Sequence, residues 1–95
     1  MTREEALAIV RQIEGIATAF PHDDRGAQED IMELVERLRA AQSTREAVRE
    51  KISSIAAWTE ILFNDRKRHT YGGDEEVTGL LLHDCERLRA AIRGD

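Results

Sequence analysis

Four stretches of the chain repeat apolar residues at the spacing of one helix face. The first stretch shows this most clearly, with apolar side chains every three or four positions from Ala6 to Phe20. This period is typical of an amphipathic α-helix, whereas a half-buried strand alternates with a period of two. The pattern predicts an all-α protein with helices over about residues 2–20, 24–41, 43–65 and 74–93.

Short-range signals mark the ends of these predicted helices. Thr2 followed by Glu5 forms a capping box, in which each side chain bonds a backbone N–H that the helix leaves unpaired. Ser43 and Glu46 repeat this pattern at the start of the third helix. Pro21 ends the first helix, because the residue before a proline is pushed out of the helical region.

The number and length of the predicted helices favour an antiparallel four-helix bundle. A chain of 95 residues has room for one hydrophobic core and forms a single domain. Short links between amphipathic helices make neighbouring helices antiparallel. A six-helix bundle of the death-fold type has a similar length and is the alternative. We rank it second because the third and fourth predicted helices are long and unbroken.

Composition restricts the classes of function. The net charge of −5 argues against general binding of nucleic acid, which needs a basic surface. No run approaches the roughly 20 apolar residues of a membrane span, and the N-terminus lacks the features of a signal peptide. The single cysteine, Cys85, excludes an internal disulfide. We expect a cytoplasmic protein without a membrane or nucleic-acid partner, and its preference for Arg over Lys suggests a bacterial source.

The third and fourth predicted helices carry more apolar surface near their connection than one small core needs. The runs Ile61–Phe63 and Leu80–Leu82 each point in three directions about 100° apart. In an antiparallel hairpin both runs lie at the same end of the bundle. The core leaves an apolar remainder exposed, either Phe63 or Ile61 together with either Leu80 or Leu82. Such a remainder usually marks a protein interface, with Trp58 as its natural anchor. We therefore predict a partner-binding surface formed by Trp58, Ile61, Phe63, Leu80 and Leu82.

The polar segment between these two runs determines how much of the predicted surface is exposed. Residues 65–73 connect the two helices and contain Tyr71. If this segment folds back over the apolar end, Tyr71 becomes a cover and the exposed surface shrinks. The sequence leaves both arrangements open.

The same segment contains the densest basic cluster of the chain, formed by Arg66, Lys67 and Arg68. Next to a helix start, such a cluster can bind an anion or an acidic partner. The simpler explanation is that these cations stabilise the C-terminal end of the third helix. We favour the simpler explanation, because the acidic residues 74–76 repel an anion at the next helix start.

Residues that carry catalysis or bind metals show no recurring arrangement, and we predict no catalytic residue, metal site or cofactor. The pair His83 and Asp84 loosely resembles the phosphoacceptor helix of histidine kinases and phosphotransfer domains. The resemblance implies that the acid orients the imidazole ring, so that one ring nitrogen can accept a phosphoryl group. It is limited to this His-acid pair.

Two functions follow from these observations. The first is a small non-enzymatic protein–protein interaction module, such as an adaptor, regulator, immunity protein or inhibitor. It docks through the apolar end of the hairpin onto another protein or onto a second copy in a homodimer. The alternative is a bacterial signalling domain with phosphotransfer at His83.

Overall fold

The computed structural model describes residues 2–20, 26–41 and 45–94, and every regular element in these ranges is an α-helix. The prediction of an all-α protein is therefore confirmed. The helices are α1 (Arg3–Ala19), α2 (Ala27–Ala41), α3 (Glu46–Leu62), α4 (Asp65–Thr70) and α5 (Asp74–Arg93). Among these described helices, none combines the length and the apolar character that crossing a membrane requires.

The ends of α1 agree with the local signals in the sequence. The side-chain oxygen of Thr2 accepts a hydrogen bond from the backbone N–H of Glu5 at 3.1 Å. Phe20 follows α1 in an extended conformation, with ψ at 138°, as expected for a residue that precedes a proline. The proline itself and the predicted cap Ser43 lie outside the described residues.

The described residues form five helices where we predicted four, and the difference lies at the end of α3. We predicted a third helix as far as residue 65, but α3 ends at Leu62. The side chain of Asn64 then accepts a hydrogen bond from the backbone N–H of Lys67 at 3.1 Å and begins α4. An Asn side chain that caps a new helix competes with continuation of the preceding one. The periodicity missed α4 because none of its residues is buried.

The four long helices contact one another in a closed ring, since α1 and α3 each pack against both α2 and α5. The apolar stripes predicted from the sequence face the inside of this ring. Full burial of each Ile or Leu side chain contributes roughly 1.5–3 kcal/mol to the hydrophobic stabilisation. The largest fully buried side chains are Ile13, Ile31, Leu38, Ile52, Ile55, Leu62, Leu81 and Leu88.

Polar contacts show the relative direction of α3 and α5. In the middle of the two helices, the hydroxyl of Ser54 donates a hydrogen bond to the carboxylate of Asp84. At the end of α3, the carbonyl of Leu62 accepts a hydrogen bond from Arg68, which also pairs with Asp74 at the start of α5. The end of α3 therefore lies beside the beginning of α5, and the two helices are antiparallel.

Candidate functional site at the end of the α3–α5 hairpin

The three consecutive leucines of α5 have different environments. Leu81 is fully buried in the core, Leu80 is 39% exposed, and Leu82 is half-buried against the core. Because successive helix residues are 100° apart, Leu80 and Leu82 lie about 200° apart on opposite flanks of α5. The single surface that the sequence predicted is therefore two surfaces in the structure.

The flank of α5 that faces α3 carries Leu80. Asp84 lies one turn after Leu80 and bonds Ser54, which lies one turn before Trp58 on α3. In an antiparallel pair of helices, this register places Leu80 and Trp58 across from each other.

Tyr71 adds a second aromatic ring at this position. It meets the indole of Trp58 edge-on, with the ring centroids 5.2 Å apart. Tyr71 is itself 48% exposed, and Trp58 is half-buried beneath it. We call the group Trp58, Tyr71 and Leu80 the hairpin patch. Ile61 lies one turn after Trp58 and is half-buried. Tyr71 is thus both the cover of Trp58 and an exposed part of the surface.

Phe63 does not belong to the hairpin patch, although we predicted it as a partner-binding residue. Its ring packs edge-on against Phe20, with centroids 4.9 Å apart and an interplanar angle of 73°. The guanidinium carbon of Arg68 lies 5.8 Å from the centroid of the same Phe20 ring. Phe63 is half-buried by these contacts and helps to close the end of the core.

The opposite flank of α5 forms a groove with the end of α1, and Leu82 lies in this groove. We call it the α1–α5 groove, and its volume is about 510 Å³. The hydroxyl oxygen of Thr78 is buried in its wall and has no hydrogen-bond partner in the described part of the chain. Such an unpaired polar atom costs about 1–3 kcal/mol. The groove is lined by Thr18, Phe20, Asp74, Glu75, Thr78, Gly79 and Leu82.

The three residues of the predicted basic cluster have different surroundings. The side chain of Arg68 is 17% exposed and pairs with Asp65 and with Asp74. Lys67 pairs with Glu60 at 3.0 Å. Arg66 is exposed and forms no ion pair with any described residue.

The contacts of Arg68 agree with the simpler explanation of the basic cluster. Its guanidinium donates a hydrogen bond to the carbonyl of Leu62 at 2.8 Å. This carbonyl is one of the last of α3, and the last four carbonyls of a helix have no partner within the helix. Arg68 therefore stabilises the end of α3 and joins it to the start of α5.

His83 is exposed on α5, but its acidic neighbour serves another role. Asp84 is 7% exposed, and its carboxylate accepts a hydrogen bond from Ser54 on α3. Because adjacent side chains on a helix diverge by 100°, a carboxylate held at α3 is directed away from the His83 ring. Phosphotransfer at His83 stays a prediction. Asp84, the acid expected to orient the His83 ring, instead accepts the hydrogen bond from Ser54.

Cys85 lies in the core beside two carboxylates. Burial, assisted by Glu14 and Asp84, raises the pKa of its thiol from 9.0 to about 12, against a smaller lowering effect of Arg89. Since the thiolate is the reactive form of cysteine, this shift lowers the fraction of reactive thiolate at neutral pH. Within the described residues, no group of three His, Cys, Asp or Glu side chains could hold a metal ion.

We compared the chain with protein-family models, with curated proteins and with solved structures, and found no match. The two surfaces at the end of the hairpin are therefore the basis for a functional proposal. The hairpin patch is an aromatic and aliphatic surface formed by Trp58, Tyr71 and Leu80. The α1–α5 groove is a separate, concave site.

Proposed function

We propose that the protein is a small non-enzymatic protein–protein interaction module that docks a partner through the hairpin patch. The observation that carries this proposal is the exposure of two large hydrophobic residues. Among the described residues, Tyr71 is 48% exposed and Leu80 is 39% exposed. Tyr71 packs edge-on against Trp58, and the register set by the Ser54–Asp84 hydrogen bond places Leu80 across from Trp58. Aromatic side chains clustered with an aliphatic one at a half-buried position are typical anchors of protein interfaces.

In this proposal the long helices form an antiparallel four-helix bundle that serves as a rigid platform. The closed ring of contacts among α1, α2, α3 and α5 supports this arrangement. The short helix α4 connects α3 to α5 and holds Tyr71 against Trp58. A preformed surface of this kind favours binding because few side chains have to be ordered when the partner arrives.

We propose that the partner is a different protein in the cytoplasm. The net charge of −5 disfavours a second copy of the chain, since like-charged molecules repel one another. An adaptor, a regulator, an immunity protein or an inhibitor acts in this way, by occupying a surface of its target without catalysis. Self-association through the same patch is the alternative, and light scattering at two concentrations detects it.

Affinity enrichment with matched variants tests the proposal. Wild-type protein, Leu80→Ser and the control Ala47→Ser are each used to capture proteins from the source cells. Ala47 is an exposed residue near the start of α3, remote from the hairpin patch. We expect a partner that wild-type protein and the control retain and that Leu80→Ser loses. Equal retention by all three proteins contradicts docking through this patch.

A further inference from the structure

We propose that the α1–α5 groove binds a basic segment of another protein. An apolar side chain of that segment fills the groove, and a neighbouring Lys or Arg pairs with the acidic rim. The groove lies on the opposite flank of α5 from Leu80 and shares no residue with the hairpin patch. It is therefore a second interaction surface, whose test is independent of the first.

The floor of the groove suits an apolar side chain. Phe20 and Leu82 line it, and both are half-buried against the core. Gly79 also lines the groove, and a Cβ atom built at Gly79 meets no atom within 4 Å. The missing side chain therefore leaves open space beside Gly79, in a groove of about 510 Å³.

The rim of the groove selects a basic partner. Asp74 and Glu75 both line it. Asp74 is paired with Arg68 at 3.2 Å, whereas Glu75 is exposed and has no ion pair with any described residue. A cation above the groove can therefore pair with the carboxylate of Glu75, which has no cationic partner among the described residues. It can also approach the carboxylate of Asp74, which already pairs with Arg68. The net charge of −5 also attracts a basic partner over a longer range.

Three synthetic peptides test the charge and the apolar character of the occupant. The probe is an acetylated and amidated nonapeptide with one Leu between two Arg residues in a Gly-Ser background. One companion peptide has Glu in place of both Arg residues, and the other has Ser in place of Leu. Binding is followed by the backbone amide shifts of the ¹⁵N-labelled protein.

We expect the Arg-Leu-Arg peptide to shift the amides of Thr18, Gly79 and Leu82, with an affinity that falls as salt is raised. Each companion peptide binds at least about fivefold more weakly, as expected for loss of an ion pair or an apolar anchor. No shift at millimolar peptide, or equal shifts with the Glu peptide, overturns the proposal. Shifts of the same amides when protein concentration is raised without peptide also overturn it, because they show that a second copy of the chain occupies the groove.

Two glycine variants show whether the groove itself is the binding site. Gly79→Leu fills the open space, and Gly15→Leu makes the same change at another helical glycine that has no atom within 4 Å of a built Cβ. Leu favours a helix over Gly, so both variants stay folded, which circular dichroism verifies. We expect Gly79→Leu to weaken the peptide at least about tenfold and Gly15→Leu to leave it unchanged.

A variant of the rim provides a test that does not depend on filling the groove. Glu75→Gln removes the uncompensated carboxylate and keeps the shape of the side chain. We expect binding of the Arg-Leu-Arg peptide to weaken by about two- to fivefold. Wild-type affinity in Gly79→Leu or in Glu75→Gln overturns the proposal.

Discussion

The indole of Trp58 and the phenol ring of Tyr71 meet edge-on, with an interplanar angle of 84° and ring centroids 5.2 Å apart. Edge-to-face pairs of this kind are favoured because the positive edge of one ring meets the negative face of the other, which is worth about 0.5–1.5 kcal/mol. The contact joins α3 to the segment that follows α4. It therefore sets how much of Trp58 remains open to a partner.

Removal of the Tyr71 ring should expose Trp58 to water. Trp58 is the only tryptophan of the chain. In Tyr71→Ala we expect its fluorescence emission to shift to longer wavelength. We also expect the free energy of unfolding to fall by about 1–2 kcal/mol. Tyr71→Phe is the control and should retain the wild-type spectrum, because it keeps the ring. An unchanged spectrum in Tyr71→Ala means that the phenol ring does not cover the indole in solution.

Arg68 should not be replaceable by Lys. Its guanidinium contacts the carbonyl of Leu62, the carboxylates of Asp65 and Asp74 and the ring of Phe20. An ammonium group has no planar fork with which to make these contacts together. We expect Arg68→Lys to lower the free energy of unfolding by about 1–2 kcal/mol in urea denaturation.

Arg66→Lys is the matched control for this substitution, since Arg66 is exposed in the same helix and forms no ion pair with the described residues. It should change the free energy of unfolding by less than about 0.5 kcal/mol. Equal effects of the two substitutions mean that Arg68 does not join α3 to α5 as described.

The sequence predicted the helices and the core well, because an apolar stripe is a local property. Ile52 and Ile55 on α3, like Leu81 and Leu88 on α5, have the spacing of one helix face and are fully buried. Residues 65–70 were predicted as a break, since their basic side chains show no apolar period. They form α4 through a cap and ion pairs, with no residue buried.

The candidate site could be predicted less completely, because it depends on how α5 is rotated relative to its neighbours. The sequence placed Leu80 and Leu82 on one surface, whereas the structure directs them to opposite flanks. Either Phe63 or Ile61 was expected to be exposed. Phe63 packs against Phe20 from α1, a contact between residues far apart in the chain. The role of Asp84 as the acceptor for Ser54 depends on the same long-range register.

The hydrogen bond between Ser54 and Asp84 should matter for stability. Ser54→Ala leaves the carboxylate of Asp84, which is 7% exposed, without its hydroxyl donor. Removal of one partner from a buried polar pair typically costs about 1–3 kcal/mol. The double variant Ser54→Ala with Asp84→Asn should be less destabilised than the sum of the two single variants, because the two residues are coupled. Additive effects in urea denaturation contradict this coupling.

Cys85 should make the protein less stable at alkaline pH. Burial and the nearby carboxylates of Glu14 and Asp84 raise the pKa of its thiol to about 12, from 9.0. Above pH 9 the unfolded chain releases this proton while the folded protein retains it. The free energy of unfolding therefore falls as pH rises from about 9 towards 12, by up to about 1.4 kcal/mol per pH unit.

Cys85→Ala is the control for this pH dependence, because it removes the thiol and leaves the other titrating groups in place. The difference in unfolding free energy between the wild type and Cys85→Ala should be constant below pH 8 and should change between pH 9 and 11. A difference that stays constant over the whole range means that the thiol titrates normally in the folded protein.

Site-specific photocrosslinking tests the docking surface most directly. A photoreactive phenylalanine analogue replaces Leu80 in one protein and Ala47 in a control, and both proteins are irradiated in the presence of the enriched partner. Both residues are exposed, but Leu80 belongs to the hairpin patch and Ala47 does not. Docking through the patch predicts a crosslink to the partner from position 80 and none from position 47. A partner that crosslinks from position 47 and not from position 80 contradicts it.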